Sequence, residues 1–312
     1  MCKFTSDIAR VRLSEVYPEW KQALTGDHKS IWTRGVTAWQ DYVYYRCVST
    51  AFAEATKTTH KDDLPYGLMN TYHQAFYRSL MVELRSAIGG DTDNLLNSKR
   101  GEYSMRAVLK SIAETPITRA HLFEINGLEY DYQKRKDLDD EEIRAALDKG
   151  GAGIIPATHA GWRFSHGLHL TVDRLTGKDP LSRSTDDVIP ADLFLKAESA
   201  LKTRTEKLLL FVNKHIAHAA TEESIKRESK TVPSRIDAED IEQTFGALIG
   251  TFDLLATELF HWGHFSFKLD VSSKLQGVEK AFGLETGSAN LIKTYRGFND
   301  RLESDLRTWR PI

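Results

Sequence analysis

The sequence predicts an all-α protein, a bundle of long helices joined by irregular loops, and three observations carry that prediction. Apolar residues recur at three- and four-residue intervals over most of the 312 positions. No stretch of useful length alternates apolar and polar residues as a half-buried strand does. Where the helical periodicity breaks, the chain carries helix-ending or helix-starting residues.

In chain order, "IARVRLSEVYPEWKQAL" places Ile8, Val11, Leu13 and Val16 at loosely helical intervals, with Pro18 kinking or breaking the run. "IWTRGVTAWQDYVYYRCVSTAFAEA" is an aromatic-rich helix. "MNTYHQAFYRSLMVELRSAIGG" is another, closed by Gly89 and Gly90, which suit a helix C-terminus. "EYSMRAVLKSIAE" is amphipathic, with Ser104 positioned to cap it. "DYQKRKDLDDEEIRAALDKGGAG" reads as an exposed charged helix that stops at Gly150 and Gly151. "TDDVIPADL" is a start signal with Pro190 at the first turn, and the helical pattern then runs from Asp192 to Ala219. A long helix follows over about Asp237 to His261. "VEKAFGL" and "ANLIKTYRGFNDRLESDLRTW" close the chain. Irregular loops are expected around residues 90–100, 150–160 and 175–190.

The composition is that of a globular protein: 41% hydrophobic and 28% charged residues. The formal net charge is -2, so no global basic excess draws the chain to nucleic acid, and any such contact comes from a local patch. Two cysteines, Cys2 and Cys47, do not make a disulfide framework. With no apolar signal segment at the start and no run of about 18 apolar residues, the expected setting is the cytoplasm, away from the membrane.

The chemistry-bearing stretch is "FVNKHIAHAA", Phe211 to Ala220. On helical geometry of about 100° per residue, Leu201, Leu208, Ile216 and Ala219 fall within about 40° of Val212, so Val212 centres a buried stripe. His215 lies beside that stripe, where it reads as a partly buried histidine with one hydrogen-bond partner. Arg204, Lys207, Phe211, Lys214 and His218 follow at spacings of three, four, three and four, and line one ridge. Such a ridge either binds a phosphodiester and moves a proton, His218 being the group that titrates near neutral pH, or is a solvated lysine-rich face.

A metal reading stands beside these. His-x-x-His occurs at His166 and His169, His215 and His218, and His261 and His264. Two histidines at that spacing can face one ion in a helical bundle. Di-metal bundles pair histidine with glutamate in Glu-x-x-His, and only Glu258 before His261 has that arrangement among these pairs. No metal or cofactor is assigned. "GGAG" at 150–153 lacks the strand, Lys and Thr of a phosphate loop, and no Gly-x-Ser-x-Gly or Cys-x-x-Cys is present.

"NKHIAHA" (Asn213 to Ala219), late in an amphipathic helix and followed by a polar loop and another long helix, resembles the signature of HEPN domains. It is most similar to their abortive-infection branch. "YRSLMVELRSAIGGDTD" (Tyr77 to Asp93) and "EYSMRAVLKSI" (Glu102 to Ile112) resemble that branch's Arg-bearing helix, acidic loop and Ser-led helix. The resemblance covers about residues 70–265. It implies an all-α bundle that forms a homodimer with a shared cleft; the HEPN-like helical domain is assigned to 1–267, and the piece after it, 268–312, reads as an appended C-terminal helical extension.

It further implies a metal-independent RNA endonuclease, a toxin or antiphage-defence effector with RNA as substrate and an antitoxin or sensor protein as a possible partner. In the family motif an Arg, often followed by a polar residue, precedes a His by four to six intervening residues. His218 fits the His and Asn213 the polar residue, but the Arg position holds Val212. The implied roles are His218 as acid or base, Asn213 as orienting group, and Lys214, Arg204, Lys207 and Phe211 as the surface that meets RNA phosphates. The missing Arg leaves a weak nuclease, a nuclease using Lys214 or Arg204 as its cation, and a non-catalytic HEPN-like scaffold all open.

Overall fold

A computed structural model describes residues 13–58, 66–90, 103–148, 161–217, 233, 235–262 and 289–308. Among them are nine α-helices and no strand; the one β-like feature is an isolated bridge between Thr118 and Val188. The helices are α1 (Ile31–Thr58), α2 (Tyr66–Ile88), α3 (Met105–Ala113), α4 (Arg119–Ile125), α5 (Gln133–Asp148), α6 (Gly161–Thr176), α7 (Ala191–Phe211), α8 (Ala238–Asp253) and α9 (Ala289–Thr308). A helical stretch over 13–21 precedes them, running through Pro18 into a π-helical turn at Gln22–Gly26. Two further π-helical segments, Val212–Ala217 and Leu254–Leu259, extend α7 and α8. No helix of the described residues is long and apolar enough to cross a membrane.

The expected helix ends hold where backbone chemistry fixes them. Gly89 takes φ 97°, a conformation that favours glycine, and its N–H bonds the Arg85 carbonyl at 2.9 Å, closing α2. Pro190 stands directly before α7, and Asp192 in its first turn complements the helix dipole. The Ser104 cap is not formed: its buried hydroxyl has no hydrogen-bond partner among the described residues.

The chain forms two compact units. Described residues within Met1–Glu19, Lys110–Leu195 and Asp253–Phe265 make the first, and those within Trp20–Leu109, Lys196–Phe252 and Ser266–Ile312 the second. The sequence-based division at residue 267 lies outside the described residues.

The second unit is built on α1 and α2. Its core holds Trp39, Tyr42, Phe245 and Phe298, all almost fully buried. Trp39 meets Phe245 edge-on at 5.0 Å between centroids, and Tyr42 meets Phe298 at 5.7 Å. Residues 268–312 include α9, and through Leu291, Phe298 and Leu302 that helix is part of this core. The one polar atom the Tyr42 ring brings inside is matched: its hydroxyl donates to Glu242 at 2.9 Å and accepts from Arg46 at 2.9 Å. Arg301 reaches the same Glu242 at 2.9 Å while lying over the Phe298 ring. In the same unit, Arg106 of α3, almost fully buried, donates to Glu198 of α7 at 2.7 Å and to the Gly89 carbonyl at 3.4 Å.

The first unit is organised around one cation. Arg119 opens α4 and is fully buried, and each of its five N–H groups has an acceptor. Asp187 takes two, at 3.1 and 2.9 Å, and Asp173 one, at 2.8 Å. Nδ1 and the carbonyl of His169 take the other two, at 3.1 and 3.2 Å. Arg183 adds a second guanidinium to Asp173. A buried charge is tolerated only when paired and fully hydrogen-bonded, and this one is.

Candidate functional site at the end of α7

α7 stays α-helical only to Phe211. From Val212 to Ala217 the backbone is π-helical. In i→i+5 bonding each residue turns less about the axis, so the ridge extrapolated from α-helical spacing does not continue unchanged past Phe211. Short π segments of this kind recur at functional positions. This one packs against α2.

The structure distributes the expected residues as follows. Val212 is fully buried, as the stripe requires. Asn213 and Lys214 are half-buried, and Arg204 is exposed. Lys207 is turned to its own fold: its Nζ donates to Asp240 at 2.6 Å. Burial opposes ionisation of the Asp240 carboxyl, yet the Lys207 ammonium and the Asp237 backbone N–H hold it below the usual carboxylate range. Phe211 lies against the His215 ring at 4.7 Å. His215 Nε2 is 3.1 Å from the Pro233 carbonyl, so that nitrogen carries the proton and donates. His218 lies outside the described residues. The bonds at Lys207 and His215 anchor the α7 end and the π segment to Asp240 and Pro233 of the same unit.

One residue absent from the α7 pattern joins the site. Arg85, in the last turn of α2, donates from Nε to Asn213 Oδ1 at 2.6 Å. A guanidinium therefore stands beside Asn213, which follows the buried Val212 in sequence. Local spacing on α7 holds no trace of it, because Arg85 is 128 residues away in sequence. The available signal was the Arg-bearing stretch "YRSLMVELRSAIGG".

The histidine pairs go separate ways. His169 accepts from Arg119 at Nδ1 and donates from Nε2 to the Tyr130 carbonyl at 2.8 Å, so both ring nitrogens are spent. His166 bonds the Tyr132 hydroxyl at 2.6 Å. His261 adopts φ 50°, and its buried Nε2 finds no hydrogen-bond partner among the described residues. Glu258, three residues before it, pairs with Arg174. His264 lies outside the described residues. Among the described residues no group of three or more His, Cys, Asp or Glu side chains converges to hold a metal ion.

Fold and site together define an all-α protein with a polar, cation-bearing helix junction. No family model, curated protein or solved structure matches the chain.

Proposed function

We propose that the chain is a HEPN-type RNA endonuclease that works without metal, with the α2–α7 junction as its site. The observation that carries this reading is the Arg85–Asn213 hydrogen bond, which brings a planar cation to the motif in place of the missing Arg. In the proposed reaction the ribose 2′-OH attacks phosphorus and the 5′-oxygen leaves. His218 takes or returns the proton. Arg85 stabilises the charge that builds on the phosphorane, since its N–H fork matches phosphate oxygens. Asn213 orients Arg85, while Lys214 and Arg204 meet flanking phosphates. The biological setting proposed is a toxin or antiphage-defence effector, active as a homodimer and held by an antitoxin or sensor protein.

The test is incubation with RNA, with and without EDTA. Wild type cuts in both conditions; His218→Ala and Arg85→Ala do not, and both keep the wild-type circular dichroism spectrum. Cleavage by His218→Ala at the wild-type rate sinks the assignment.

A second reading, a HEPN-like helical scaffold without catalysis, is favoured by a different observation. Val212 of the stripe is buried and Lys207 of the ridge is engaged by Asp240, so both serve the fold itself. RNA binding with no cleavage by wild type would select it.

A further inference from the structure

In the first unit, α5 carries three consecutive cations directly after its first residue Gln133, namely Lys134, Arg135 and Lys136, and no acidic residue in its first turn. Arg135 is spent on the buried Asp139 of the same helix at 3.0 Å, whereas Lys134 and Lys136 oppose the helix dipole. Beside them lie two aromatic rings in parallel. Tyr132 and Trp162 are 6.2 Å apart between centroids with an interplanar angle of 14°. Tyr132 is pinned at its hydroxyl by His166 at 2.6 Å. Lys136 and Arg163 stand over the Trp162 ring at 5.6 and 5.7 Å. Both rings are only half-buried, and Arg163 and Lys134 are exposed.

We propose that Tyr132 and Trp162 form a stacking platform for the bases of a single-stranded nucleic acid, with Lys136, Arg163 and Lys134 taking the backbone phosphates. Two parallel rings pinned in place suit planar bases, which every sequence offers, and cations around them suit a polyanion. A cation resting on an exposed ring is held more weakly than a stacked base. Lys136 and Arg163 can therefore yield the ring face and swing to phosphate. Splayed bases are needed, so a duplex, whose bases stack on each other, does not fit. Asp131 and Asp137 flank the patch. Asp137 accepts a hydrogen bond from Gln133 at 2.8 Å, and Asp131 one from the Gln133 backbone N–H at 3.4 Å.

This platform does not rest on the nuclease reading, since it shares no residue with the α7 site. It is tested with a labelled single-stranded DNA dodecamer, which lacks the 2′-OH and is not cut by the proposed reaction. Anisotropy is expected to show binding by wild type. Trp162→Ala weakens it about tenfold, the loss expected for one stacked base, while Trp162→Phe keeps most of the affinity. Arg163→Ala and Lys136→Ala each lower the salt dependence by about one charge. The proposal is overturned if wild type does not bind, or if a folded Trp162→Ala binds equally well. It is also overturned if duplex DNA, a polyglutamate peptide or anionic phosphatidylserine vesicles compete as strongly as the single strand.

Discussion

Nε of Arg85 donates a 2.6 Å hydrogen bond to Oδ1 of Asn213, tying the last turn of α2 to the π-helical segment that follows α7. A hydrogen bond to a charged group in a half-buried setting contributes about 1.5–3 kcal/mol. Arg85→Ala and Asn213→Ala should each lower stability by about 1–2 kcal/mol, and the double variant should lose less than their sum. Chemical denaturation of the four proteins measures the coupling. Additive losses would mean that the two side chains do not meet in solution.

Val212→Arg would place an Arg where the HEPN motif that the sequence resembles carries one, but the site for that side chain is the core. Val212 is fully buried, with no solvent contact. An uncompensated buried cation costs about 3–5 kcal/mol. The variant should unfold at lower denaturant and gain no RNA cleavage. A variant as stable as wild type, or more active, would show that position 212 reaches the surface.

The fold class was legible because periodicity reports which face is buried, and residues such as Leu201, Leu208 and Val212 are buried where a 3.6-residue period places them. Helix stops at Gly89 and starts at Pro190 were legible because one residue's backbone chemistry decides them. The π segment at Val212–Ala217 was not, since apolar spacing does not distinguish i→i+4 from i→i+5 bonding over six residues. Arg85 and Arg119 were not, because their partners lie on other elements. His169, Asp173 and Asp187 fall 50 or more residues after Arg119, and no local pattern links them.

The last helix offers a check on the second unit. Phe298 of α9 is buried among Trp39, Tyr42 and two guanidiniums, those of Arg46 and Arg301. Phe298→Ala should cost about 3–5 kcal/mol through lost burial and a residual cavity. The midpoint of urea unfolding reads this directly. A loss below about 1 kcal/mol would mean that α9 is not part of this core.

Stability should fall in acid, and the first unit should set where. Burial disfavours the charged form of His169 and holds it below its ordinary 6.5, with Arg183 and Arg119 adding to the effect and the Tyr130 carbonyl working against it. Burial alone lowers His261 in the same sense. Both histidines therefore bind a proton more readily unfolded than folded. Their contribution is fully present above about pH 6.5 and shrinks as pH falls below it. Asp173 and Asp187 act lower down. Burial opposes their ionisation, but the guanidiniums on Asp173, and Arg119 with the Ser184 backbone N–H on Asp187, hold both carboxyls below the ordinary 3.8. Their contribution is lost only as pH drops below about 4. The expected record is a melting temperature that declines from about pH 7 to pH 5 and then falls steeply below about pH 4. Arg119→Ala, which takes the buried guanidinium from Asp187 and leaves Asp173 with Arg183 alone, should cost about 3–5 kcal/mol at pH 7 and flatten the collapse in acid. Calorimetry across that range checks both. A melting temperature that rises on acidification from pH 7 to pH 5 would refute the neutral assignment of His169.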